Sequence, residues 1–211
     1  MRATRLTKIL LAVLAIPGWF ALTAQFYINI NSNAAPIPEI ITRYFSYFTI
    51  LINLIVAICC TTLLFNKELN KGFFSRQKPI AAITVYIVVV GITYNVILRF
   101  LWEPQGLQKV VDELLHSVIP GLFLIYWLIF VLKDRLQWKD VWPWLIFPLV
   151  YLIFILIRGS FSGFYPYPFI DMDKLGVQKT LINALGIAIL FLVVSLVFVG
   201  IGKLIRRRSA G

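Results

Sequence analysis

Charge is scarce in this 211-residue chain: 14% of residues are charged, and only nine are Asp or Glu. Soluble domains usually carry nearer a quarter. The shortage argues against a disordered chain and against a nucleic-acid-binding basic domain. Cysteine is limited to the adjacent Cys59 and Cys60, inside an apolar run. Such a pair builds neither a disulfide framework nor a zinc knuckle, so both read as small hydrophobes in a helix. There is one histidine, His116. No HExxH or CxxC element is present, and Asp112 with His116 is the most a metal could find, so no metal site is expected. The absence of a GxGxxG or phosphate-binding loop removes support for a nucleotide cofactor. The absence of a GxSxG elbow excludes an ordinary soluble-type lipase fold. No cofactor is expected.

What the sequence has instead is hydrophobicity, 60% of all residues. Apolar runs recur six times, at about 9–30, 44–65, 79–101, 114–132, 141–157 and 179–201. Each approaches the ~20 residues a helix needs to cross a ~30 Å hydrocarbon core. Continuous runs such as AIAILFLVVSLVFVGIG exclude the alternating pattern of a barrel strand. The fold class is therefore all-α, a bundle of six transmembrane helices forming one integral membrane domain over residues 1–211. The first run begins like a signal peptide, but its length and its Pro17-Gly18 pair favour a retained span. Internal repeats are not visible.

The charges set an orientation. One side collects fourteen basic residues, from Arg2 and Lys67 to Arg208, against Glu68, Asp134 and Asp140. The other side holds six basic residues and six acids. The net charge of +11 thus lies on one face, and the positive-inside rule puts both termini in the cytoplasm. Attraction to anionic headgroups follows, with no nucleic-acid partner required.

Polar groups at membrane depth are the informative ones, because burying them without partners is costly. Ser46, Thr49 and Asn53 are spaced to share a helix face; Asn95 and Arg99, and Asp112 and His116, are i, i+4 pairs. Arg158 ends the fifth span, and Tyr165-Pro-Tyr167-Pro-Phe-Ile-Asp171 is a stiff aromatic loop suited to capping a cavity. Each residue also has a structural use. Hydroxyls bond back to i−4 carbonyls, amides glue helices together, arginines snorkel, and Trp102, Trp138, Trp142 and Trp144 suit an interfacial belt.

The segments Arg43-Tyr-Phe-Ser-Tyr-Phe-Thr49, Asp112-Glu-Leu-Leu-His116-Ser-Val-Ile-Pro120 and Tyr165–Asp171 resemble the bacterial Pr6Pr family of six-span membrane proteins. That family is similar to the eukaryotic androgen-induced and androgen-dependent TFPI-regulating proteins, hydrolases of fatty acid esters of hydroxy fatty acids. The resemblance implies a multi-pass protein of the bacterial inner membrane acting on a lipid-like or acyl substrate. It puts the nucleophile at Ser46, where the eukaryotic string has threonine, and the base at His116. Asp112 stands where that group has asparagine, and Thr49 is the fallback nucleophile. Asn53, Asn95, Arg99, Arg158, Tyr165 and Tyr167 are the candidate substrate-binding residues. The alternative is a non-enzymatic bundle: a small transporter, a lipid-binding protein or a scaffold. Oligomeric state is not legible in the sequence.

Overall fold

A computed structural model describes residues 5–66 and 72–208. Arg2, Lys67, Glu68 and Lys71 of the charge count lie outside the described residues. Those residues contain helices and no strand. In chain order the helices are α1 (Arg5–Ile30), α2 (Ile37–Ser46), α3 (Phe48–Phe65), α4 (Gln77–Val96), α5 (Gly106–Glu113), α6 (Ile119–Phe130), α7 (Val141–Ser162) and α8 (Met172–Arg208). A π-helical turn, Leu114–Val118, joins α5 to α6 without a break. Six stretches are long and apolar enough to cross a membrane: Arg5–Ile30, Phe48–Phe65, Gln77–Leu101, Gly106–Phe130, Trp138–Ser162 and Met172–Arg206. This is the architecture of an integral membrane protein.

Two span boundaries differ from expectation in ways that matter for the site. The second span starts at Phe48, because α2 ends at Ser46 and Tyr47 is extended (φ −81°, ψ 124°). Ser46 therefore sits at the end of one helix, and Thr49 and Asn53 lie on the next. Helix α2 is a separate amphipathic piece, opened by Pro38 in its first turn and braced by the Arg43–Glu39 pair at 2.9 Å. Its Tyr44 hydroxyl donates to the Leu22 carbonyl at 2.8 Å, and burial pushes that phenol up to about 12. Helix α3 answers to a different contact. It packs along α1 where Gly18 faces Ala57, and Trp19 Nε1 donates to Thr61 Oγ1 at 3.0 Å. The fourth span begins at Gly106, eight residues earlier than its apolar run. Gln25 and Gln108 tie that added stretch to α1 through reciprocal amide bonds of 3.2 and 2.9 Å.

Contacts divide the chain into two compact units, residues 1–135 and 136–211. In the first, Leu11, Leu14, Ile52, Leu63, Ile80 and Phe123 are fully enclosed. The second is the α7–α8 hairpin, with Ile155 and Val199 buried and Phe154, Ile189 and many others outward-facing. Exposed aliphatic faces of this kind suit lipid. Gly176 (φ 74°, ψ 162°) kinks α8 after its first turn, a conformation that glycine adopts without steric cost.

Candidate active site

The site of the first unit is built on a helix defect. In the π-helical turn the Ile119 N–H bonds to the Leu114 carbonyl, five residues back. Leu115 O thereby loses its usual i+4 donor. Pro120 has no N–H, so it can serve neither Leu115 O nor His116 O. These two carbonyls receive side-chain amides from neighbouring helices. Asn53 Nδ2 on α3 donates to Leu115 O at 3.1 Å, and Asn95 Nδ2 on α4 donates to His116 O at 3.2 Å. Each amide also donates to its own helix, Asn53 to Thr49 O (2.9 Å) and Asn95 to Gly91 O (2.8 Å). Neither has a further N–H to offer. Close approach of α4 is required, and Gly91 permits it: a Cβ there would stand 3.1 Å from Pro120 Cβ and 3.3 Å from His116 O.

The turn carries His116, whose side chain is 15% exposed against 4% for its neighbour Asp112. Nδ1 lies 2.9 Å from the Asp112 carbonyl oxygen and 3.2 Å from Asp112 Oδ1. A carbonyl only accepts, so Nδ1 carries the hydrogen and the lone pair of the neutral ring is on Nε2. Among the described residues Nε2 makes no hydrogen bond. The Tyr94 ring stacks on the imidazole at 4.1 Å and 16°, and the Tyr94 hydroxyl donates to Asp112 Oδ2. Beside this group Arg99 and Glu113 form a two-pronged pair, both contacts 2.7 Å. Arg99 also donates to Asn95 Oδ1 (2.9 Å) and Ser117 Oγ (3.0 Å), leaving one of its five N–H groups uncommitted among the described residues. Its Cζ lies 5.3 Å from the Tyr94 ring centre.

Both i, i+4 pairs of the sequence thus make contact. The two hydroxyl candidates are buried, and neither is hydrogen-bonded to His116: Ser46 Oγ donates to Thr42 O at 2.7 Å. The Asn53 Oδ1 atom is buried with no donor among the described residues. Glu113 precedes His116 by three residues, a spacing that helical bundles use for metals. Here its carboxylate is committed to Arg99, and among the described residues no group of three or more His, Cys, Asp and Glu could hold a metal ion.

No family model, curated protein or solved structure matches the chain.

Arg158, Tyr165 and Tyr167 belong to the second unit, where they order the loop between α7 and α8. Arg158 donates to Phe164 O (3.4 Å), with its Cζ 5.1 Å from the Phe164 ring. The Tyr165 ring lies against Gly159, where an added Cβ would come within 2.1 Å of it. Its hydroxyl is buried without a partner among the described residues, and burial with Asp173 and Asp171 nearby raises its pKa. Tyr167 stacks on Phe169 at 5.2 Å, and Asn183 holds the Phe169 carbonyl at 2.9 Å. Burial pushes the Asp171 carboxyl up, but bonds from Lys174 outweigh it and hold the group below the usual range.

Tyr94, Glu113 and Ser117 escaped the sequence reading. Tyr94 looks like one more aromatic in an apolar run. Glu113 and Ser117 could have been found, since they flank His116 and lie four residues apart, on the face that meets Arg99.

Proposed function

We propose that the chain is an intramembrane hydrolase of lipid-like esters, such as fatty acid esters of hydroxy fatty acids, with His116 as its base. One observation carries this reading: a largely sheltered imidazole whose Nδ1–H is held by Asp112 while Nε2 keeps its lone pair. That is the base-and-orienter half of a hydrolytic triad. Resemblance to the Pr6Pr family supports the same assignment and adds the nucleophile, Ser46, with Thr49 as the fallback.

In this mechanism the hydroxyl oxygen attacks the ester carbonyl carbon and its proton passes to Nε2. Asp112 stabilises the imidazolium that forms. The tetrahedral intermediate collapses by breaking the C–O bond to the alcohol, which takes the proton back from Nε2. Water then enters by the same route and releases the acid. Catalytic hydrogen bonds are often unmade before substrate binds, so the resting Ser46–Thr42 bond is compatible with attack. With both asparagine amides saturated, the uncommitted N–H of Arg99 is the side-chain donor best suited to a developing negative charge. An acyl chain would enter between helices from the lipid. The charge pattern supports cytoplasmic termini and a site toward the outer face, and the resemblance to the Pr6Pr family supports a bacterial inner membrane setting.

A second reading is a non-enzymatic bundle, favoured by the bonding of Arg99 to Asn95 and Glu113 and of Asn53 to two backbone carbonyls. A lipid-like fluorophosphonate separates the two. The hydrolase should take up one phosphonyl group on Ser46 or Thr49, located by peptide mass spectrometry, and His116→Ala should abolish the reaction. Absence of an adduct on both hydroxyls would contradict the hydrolase.

A further inference from the structure

We infer that Tyr94 is a positioning residue for His116, acting through two separable parts of one side chain. This rests on the reading of His116 as a base. The aromatic ring lies parallel to the imidazole at 4.1 Å and fixes the plane in which it can turn. The hydroxyl donates to Asp112 Oδ2, which leaves Oδ1 facing Nδ1. Tyr94 and Asp112 are both almost fully enclosed, at 3% exposure each, so water does not compete for these bonds.

The arrangement accounts for every proton. The phenol gives its hydrogen to one carboxylate oxygen, and Nδ1–H faces the other oxygen and the Asp112 carbonyl. When His116 accepts a proton at Nε2, both ring nitrogens carry hydrogen and the positive charge falls beside a carboxylate that cannot rotate away. Without the phenol, Asp112 Oδ2 loses its one donor among the described residues and the side chain gains freedom to leave Nδ1. Tyr94 exchanges no proton with the substrate. Its effect runs through Asp112 and the ring plane.

His116 is the only histidine, so one set of imidazole signals in a histidine-labelled sample reports the site directly. In the wild-type protein in lipid nanodiscs, the ring-proton signals should lie upfield of a free histidine, as the stack requires. Signals at free-histidine positions would overturn the inference without any variant. Tyr94→Phe keeps the ring and removes the hydroxyl. The upfield signals should remain, and Nδ1–H exchange with solvent should accelerate about tenfold, the factor associated with losing one hydrogen bond. Tyr94→Leu should lose the upfield shift as well. Unchanged Nδ1–H exchange in Tyr94→Phe overturns the positioning role.

Ester hydrolysis measured on the same samples keeps the two ideas apart. If the hydrolase reading holds, Tyr94→Phe lowers kcat with KM unchanged. Accelerated exchange in a protein that hydrolyses no ester would sustain Tyr94 and sink the hydrolase. Active enzyme with unaltered exchange would do the reverse.

Discussion

The two units handle their polar residues in opposite ways. In the first, amides, carboxylates, a guanidinium and an imidazole meet within the helices, at Asn53, Asn95, Arg99, Asp112, Glu113 and His116. In the second, these contacts cluster around the α7–α8 connection, where Arg158 near the end of α7, Asp171 in the loop and Asn183 early in α8 hold backbone or a neighbouring lysine. A loop can satisfy such groups with water at hand. A spanning helix cannot, so polar groups there must bond each other or serve a purpose. The lesson is that one carboxylate in each unit, Asp112 and Asp171, does different work: the first orients a ring, and the second caps α8.

The sharpest way to break that comparison is to remove each carboxylate in turn. Asp112→Ala should cut ester hydrolysis by about 10²–10⁴-fold, the range for losing effective general-base catalysis. Asp171→Ala should leave the rate within about twofold and cost about 0.5–2 kcal/mol of stability, as a lost helix cap does. Equal rate losses in the two variants would erase the distinction.

The helix defect offers a second contrast. Asn95→Leu orphans the His116 carbonyl and should cost about 1–3 kcal/mol in denaturation. In a Pro120→Ala background the backbone regains an N–H, and the same change should cost measurably less. A cost unchanged by Pro120→Ala would mean that Asn95 does not serve the defect. Gly91→Ala meets Pro120 and the His116 carbonyl and should destabilise by about 1–3 kcal/mol through overpacking. Gly121→Ala, with nothing within 4 Å of the new methyl, should be neutral or gain up to about 1 kcal/mol of helix propensity.

A contrast in pH concerns Lys133, past the end of α6. Its ammonium donates to Leu128 O and Val131 O and lies 4.7 Å from the Trp127 ring centre. Burial nevertheless pushes its pKa from 10.5 down to about 8. Between those values the unfolded chain binds more protons than the folded one, so stability should rise as pH climbs from about 8 towards 10.5. Lys133→Met should flatten that rise in a melting series across the window.

How much of this was legible follows from the physics of each element. Six spans were readable because twenty apolar residues in a row have few other uses. The Asn95–Arg99 and Asp112–His116 contacts were readable because helical spacing brings i and i+4 together. The break at Tyr47 was not, since no proline or glycine marks it and the contacts on either side of it, Tyr44 with Leu22 and Ala57 with Gly18, are tertiary. The π-helical turn left a partial sign in Pro120, four residues after His116. Tyr94 left none, because a phenol pointing at a carboxylate is written in tertiary packing.

The role of His116 is tested most directly by the rate at which purified protein in nanodiscs hydrolyses a long-chain ester, compared with His116→Ala. Turnover by the wild type and loss of most of it in the variant are expected, with the fold unchanged by circular dichroism. Equal turnover in both proteins, or none in the wild type, would contradict that role.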